Sequence, residues 1–193
     1  KLHIPYISCA KSVNLIRSAK KHGLDVSCSV GVPHLLFTHE KLSDFDPNFK
    51  LNPPLRTNKD KNILREGLLD GTIDMISSLH QPINPEEKNL EFVQSKEGSI
   101  GLEAVFMVLQ NEFPLENVIS FLTRGKRRFG VDNNPFEEGC TADFTLFTPN
   151  GMGILTSDQL YSTSKNCMFI GKPTKGKVYG CIREKKIQLN QNH

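Results

Sequence analysis

The sequence predicts an α/β fold whose strands run parallel, in a sheet or barrel, followed by a smaller β piece. Three observations carry that expectation. Over residues 1–82, β-prone runs alternate with helical ones in the order strand, helix, strand, loop, helix, strand, and such alternation argues for parallel strands joined by crossover helices. The third strand, in Gly71-Thr-Ile-Asp-Met-Ile-Ser-Ser-Leu-His-Gln-Pro82, is apolar nearly without break at Ile73, Met75 and Ile76, as suits a strand covered on both faces. From Gly139 onward the texture changes to short β-prone pieces separated by Gly, Asn and Pro. Active sites of α/β barrels collect at the C-terminal ends of the strands, so residues 77–80 are the expected centre of function.

Taken in order, residues 2–9 form a strand. Residues 10–22 follow as an amphipathic helix, with Val13, Leu15, Ile16 and Ala19 on its apolar side and Gly23 as its stop. Residues 26–30 form a second strand, 31–37 an apolar loop, and 38–56 a polar, proline-rich loop of the kind that lines sites. Thr57 or Asn58 can cap a helix over 59–70, with Ile63, Leu64, Leu68 and Leu69 inward and Gly71 at its end. Two helices are expected over 98–111 and 115–129, broken by Pro114, then strands at 144–147, 153–155 and 177–182 and a frayed tail over 188–193.

Composition bounds the function classes. At 193 residues and 21.7 kDa, with 37% hydrophobic and 23% charged residues, the chain can bury a core. A (β/α)8 barrel needs about 250 residues, so the chain reads as part of something longer. The net charge of +3, from 24 basic and 21 acidic residues, is too balanced for a nucleic-acid surface. The one basic cluster, Arg124-Gly-Lys-Arg-Arg128, reads as a solvated helix end. No stretch reaches the roughly 18 to 20 apolar residues of a membrane span. Five widely spaced cysteines without a CxxC pair fit reduced thiols and a cytoplasmic location.

Several segments together carry a family likeness. They are His3-Ile-Pro-Tyr6-Ile-Ser8, Val32-Pro-His34, Asn52-Pro-Pro-Leu-Arg56, Leu79-His80-Gln81-Pro82 and Gly98-Ser-Ile-Gly-Leu-Glu103. Arg128 to Gly139, the following Cys140-Thr-Ala-Asp-Phe-Thr-Leu-Phe147, and Ser164 to Gly171 extend it. In order and spacing they resemble the C-terminal half of a dihydroorotase of the amidohydrolase superfamily. The resemblance implies the C-terminal portion of a (β/α)8 TIM-type barrel over residues 1–138, strands six to eight with their helices, and a small β domain with the tail over 139–193.

The resemblance also implies a site and its losses. Members of the family hold zinc at the strand ends, where the metal lowers the pKa of its bound water from about 15.7 towards 7. The family's His-x-x-His-x-Ser ligand position is Tyr6 here, and its Asp-His-x-Pro aspartate, which touches metal and serves as general base, is Leu79. A phenol is a poor zinc ligand beside imidazole, and leucine can neither ligate nor shuttle a proton. Ile83 stands where many members have a histidine contacting the substrate carboxylate, and only His34 remains of a His-His pair. Asn52, His80 and Gly101 keep the family's substrate-contact positions, although Gly101 can equally serve close packing.

Neither a catalytic nor a metal-ligating residue is therefore expected in this chain, and no cofactor, with zinc expected only if the family activity is kept. The favoured reading is a non-catalytic dihydroorotase-like protein of pyrimidine biosynthesis with a structural or regulatory role. An active zinc-dependent dihydroorotase stands second and a hydantoinase-like enzyme third. Expected partners are the missing N-terminal half of the barrel or a second copy, and aspartate carbamoyltransferase; nucleic acid and membrane are not expected.

Overall fold

The computed structural model describes residues 1–131 and 137–190. Strand β1 (Leu2–Ile7), helix α1 (Ala10–Lys21) and strand β2 (Val26–Gly31) form the first unit; β1 runs parallel to β2 with Leu2 opposite Val26. Helix α2 (Val32–Leu36) follows directly, where a loop is expected from sequence. Pro33 in its first turn is pre-organised for a helix and costs no hydrogen bond there. After two single-turn 3-10 segments, His39–Leu42 and Pro47–Phe49, helix α3 (Asn58–Leu69) leads to β3 (Met75–Ser77). The sheet order β1-β2-β3 is parallel throughout, as the alternation predicts.

Local chemistry explains the helix starts. The Thr57 hydroxyl accepts from Asp60 N–H and the Asp60 carboxylate accepts from Thr57 N–H, a reciprocal capping box. The same carboxylate also accepts from Ala10 N–H at 2.9 Å, so one side chain caps α3 and ties down the start of α1. These two helices bury Val13, Ile16, Leu64 and Leu68, each contributing roughly 2 kcal/mol by area. Leu69, expected inward, is exposed instead, one residue beyond the buried stripe.

Helix α4 (Pro85–Lys88) lies in the connection after β3. The expected helix over 98–111 is reduced to α5 (Val105–Leu109), because Ser99 is drawn into a parallel bridge with His80 that extends the sheet past β3. Helix α6 (Leu115–Thr123) runs into a 3-10 turn, Arg124–Phe129. In that turn Arg124 is no solvated helix end: it donates to the carbonyls of Leu68, Ile73 and Asp74 and braces the entry of β3. Arg128 similarly binds Asp25 and the carbonyls of Leu2 and Asp25.

Strands β4 (Asp143–Ile154), β5 (Pro173–Arg183) and β6 (Lys186–Leu189) form an antiparallel sheet in that order. β4 merges two pieces that the sequence separates, through register shifts after Leu146 and Thr148. Gln188 and Leu189, expected to fray, pair with Cys181 and Gly180 in β6. Opposed residues of antiparallel strands share a face, so Phe144, Leu146, Ile182, Ile187 and Leu189 lie together; Leu146, Ile187 and Leu189 are exposed there. The opposite face carries Asp143, Thr145, Arg183, Lys186 and Gln188.

Between β4 and β5 the chain returns to the main core, where Leu155, Leu160, Cys167, Met168 and Phe169 are buried with the residues of the parallel unit. Part of the family likeness, at 132–136, lies outside the described residues, as does the tail beyond 190. The five cysteines are free, Cys28 and Cys167 buried and Cys140 and Cys181 exposed. Among the described residues no helix is long and apolar enough to cross a membrane.

Candidate functional site at the mouth of the parallel sheet

A cleft of about 370 Å³ opens at the C-terminal ends of β1 and β3, lined by Tyr6, Leu51, Asn52, Ser77, Ser78, Leu79, His80, Gln81 and Gly98. The two substituted positions, Tyr6 and Leu79, thus meet in one cleft with Asn52 and His80. Both have left-handed backbone, φ 55° at Tyr6 and 50° at Leu79. Few residues other than glycine adopt it, and Asn, Asp and His are several-fold enriched among those that do. Each turn is held by a serine: Tyr6 N–H donates to Ser29 Oγ and Leu79 N–H to Ser77 Oγ, both at 3.3 Å. The conformation suits a histidine at one position and an aspartate at the other better than the residues present.

His80 is pinned from behind. Its Nδ1 accepts from Gly101 N–H at 3.4 Å and Leu102 N–H at 3.3 Å, which places the proton of the neutral ring on Nε2. Gly101 itself is outside the lining. A methyl group there would lie 2.7 Å from Ser78 O and 3.2 Å from the Phe169 ring, so glycine is required by close approach, and the residue supports His80. His3, on the same strand as Tyr6, is structural: its Nδ1 meets Ser27 Oγ at 2.9 Å and its ring stands edge-on to Phe129.

Two lysines brace the segment 88–96, which leads into Gly98. Lys50 Nζ donates to the carbonyls of Phe92, Val93 and Ser95 at 2.7–2.9 Å. Lys88, 2% exposed, donates to Lys96 O, and burial pushes its pKa down to about 8. Sequence reasoning missed these, and also Asn166. Its side chain accepts from Ile83 N–H and donates to the carbonyls of Gln81 and Gly98, fastening both rim segments from far along the chain. A lone asparagine before the apolar run Cys167-Met-Phe-Ile170 is the only local signal of a buried polar anchor.

The side chains this chain contributes do not fit a zinc site. The lining offers one imidazole, His80, no carboxylate and no thiolate. Among the described residues no three His, Cys, Asp or Glu side chains converge. A second hollow of about 360 Å³, lined by Lys1, Gly71, Asp74, Met75, Arg124, Gly125, Arg127 and Arg128, involves the ends of β1 and β3 opposite this cleft; its Arg124 is spent on backbone carbonyls and its Arg128 on Asp25 and backbone carbonyls.

No family model matches the chain. It is 35% identical to the dihydroorotase of Listeria monocytogenes over 98% of its own length and 46% of the relative's, and 37% identical to that of Bacillus subtilis over the same shares. The chain thus spans about half the length of the relatives it matches. In structure it resembles the L-hydantoinase (dihydropyrimidinase) of Arthrobacter aurescens, with TM-score 0.86 and 22% identity over 99% of this chain and 45% of that one. It also resembles the inactive dihydroorotase-like domain of the Chaetomium thermophilum CAD-like multifunctional protein, with TM-score 0.63 and 18% identity over 96% of this chain and 50% of that one. The parallel unit is therefore part of an amidohydrolase TIM barrel, and the chain belongs to the dihydroorotase family.

Proposed function

We propose that this is a non-catalytic dihydroorotase-like protein of pyrimidine biosynthesis, cytoplasmic, with a structural or regulatory role. The observation that carries the reading is the meeting of Tyr6 and Leu79 in one cleft, where the resemblance calls for a metal ligand and a proton-shuttling acid. General acid–base assistance alone is worth about 10² to 10⁴ in rate. Asn52 and the Nε2–H of His80 remain on the cleft wall, so binding of a small cyclic amide without turnover is consistent with the reading.

The proposed partner is the remainder of a longer protein. Two features support it: the exposed apolar residues Leu146, Ile187 and Leu189 on one face of the antiparallel sheet, and β1, which pairs on one side alone among the described residues. Open edges and apolar faces of this kind are covered in stable proteins. Aspartate carbamoyltransferase is proposed as a second partner, on the family resemblance alone.

The test is metal analysis and a dihydroorotate hydrolysis assay on the full-length protein, beside the double variant Tyr6→His, Leu79→Asp. The expected outcome is no stoichiometric zinc and no turnover in the unmutated protein. Stoichiometric zinc with ordinary turnover would replace this reading with an active zinc-dependent dihydroorotase.

A further inference from the structure

Among the described residues, one buried side-chain polar atom lacks a hydrogen-bond partner: Nδ1 of His34. Buried polar groups are paired in the great majority of cases, so an orphan calls for a reason. His34 is 2% exposed, at the start of α2 behind the cleft. Its Nε2 donates to Pro53 O at 2.9 Å, which puts the ring proton on Nε2 and leaves Nδ1 a bare acceptor. Burial holds the imidazole pKa low, against the Pro53, Pro54 and Gly31 carbonyls that favour the charged ring, and Arg56 adds to the lowering.

Leu79 and the orphan crowd the same point above Gly31. A methyl group placed on Gly31 would overlap Leu79 Cδ1, lie 2.8 Å from Leu79 Cγ and lie 2.9 Å from His34 Nδ1. The isobutyl group and the bare nitrogen therefore both border one point above the Gly31 α-carbon, which the leucine methyl itself occupies. Two further facts concern position 79 itself. Its left-handed backbone is one that Asn and Asp adopt far more readily than Leu. Leucine also matches asparagine and aspartate in shape through Cγ, so a polar atom of either would fall where a leucine methyl now lies.

We propose that His34 and residue 79 form one polar unit at the floor of the cleft, with His34 Nδ1 as the built receptor for an asparagine or aspartate at 79, and that Leu79 caps it with hydrocarbon. His34 is then a positioning residue, acting on the side chain at 79 rather than on a ligand. The inference rests on the reading that position 79 has lost its acid. It explains why a buried imidazole keeps a free lone pair.

The experiment uses the full-length protein with ¹⁵N-labelled histidine, in the presence of a chelator, and the variants Leu79→Asn, Leu79→Asp and Leu79→Ala. In Leu79→Asn the Nδ1 resonance should move from that of a free acceptor towards that of a hydrogen-bonded one. In Leu79→Asp it should acquire a proton, and in Leu79→Ala neither change should occur. A cycle with His34→Gln, which keeps a donor for Pro53 O and deletes Nδ1, supplies the second readout. Leu79→Asn should lower the unfolding constant about tenfold relative to Leu79→Ala with His34 present and not with His34→Gln. Unmoved Nδ1 resonances or an additive cycle overturn the proposal, as does failure of both polar variants to fold. Turnover by the unmutated protein would defeat the non-catalytic reading and leave the His34 coupling standing, so the two failures are distinguishable.

Discussion

In the parallel sheet the central strand β2 is buried from Ser27 to Gly31, whereas in the antiparallel sheet every residue of β6, Lys186–Leu189, is exposed. Both sheets have three strands, and both carry enough Val, Ile, Leu and Phe for a core. The difference is cover. Helices α1 and α3 lie in the connections of the parallel sheet and bring their own apolar stripes, Val13 and Ile16 against Leu64 and Leu68. The antiparallel sheet brings no such layer: its β5–β6 connection, 184–185, is too short for a helix, and the long β4–β5 connection, 155–172, packs its apolar residues into the main core instead. A βα unit completes itself locally; a meander of strands depends on what is laid against it.

The largest effect should come from the covered sheet. Leu68→Ala, at a fully buried position, should cost about 3 kcal/mol in urea unfolding; a loss under about 1 kcal/mol would break the comparison by showing that this core yields as easily as the open sheet.

Next in size is the tie between the covering helices. Hydrogen bonds from Thr57 and from Ala10 N–H hold the Asp60 pKa below the usual carboxylate value. A lowered folded pKa means that the stabilisation is present above the unfolded pKa near 3.9 and is lost as pH falls through the folded one. Asp60→Asn should therefore cost about 1 kcal/mol at pH 7, and the gap from the parent should close below about pH 4. A pH-independent gap in parallel acid titrations would assign the effect to packing instead.

The smallest effect should be at the open face. Ile187→Ser with Leu189→Ser should change the stability of this 193-residue chain alone by no more than about 0.5 kcal/mol. With the proposed remainder of the barrel in place the same pair should cost clearly more, read by thermal melts of both forms. Equal small effects in both would mean that nothing covers the face.

Much of the fold was legible locally. The Thr57 cap, the glycine stops at Gly23 and Gly71 and the apolar run through Ile73 placed α1, α3 and three strands, since each signal lies within a few residues of what it specifies. The failures share a cause. Helix α5 is short because Ser99 bridges to His80, and residues 155–171 return to the core because Ser99 and Asn166 bond across it. Both choices are made by partners distant in sequence.

The candidate site divides in the same way. The residue types at Tyr6, Asn52, Leu79 and His80, and with them the absence of an acid where the family keeps one, were determined by the sequence alone, because identity at a position needs no coordinates. That Tyr6 and Leu79 share a cleft in left-handed backbone, that Gly101 supports His80 rather than lining the cleft, and that the buried His34 Nδ1 lacks a hydrogen-bond partner were decided only by the tertiary structure. A side chain's partner, and so its role, is set by what the fold brings within about 3 Å, and no local pattern encodes that distance.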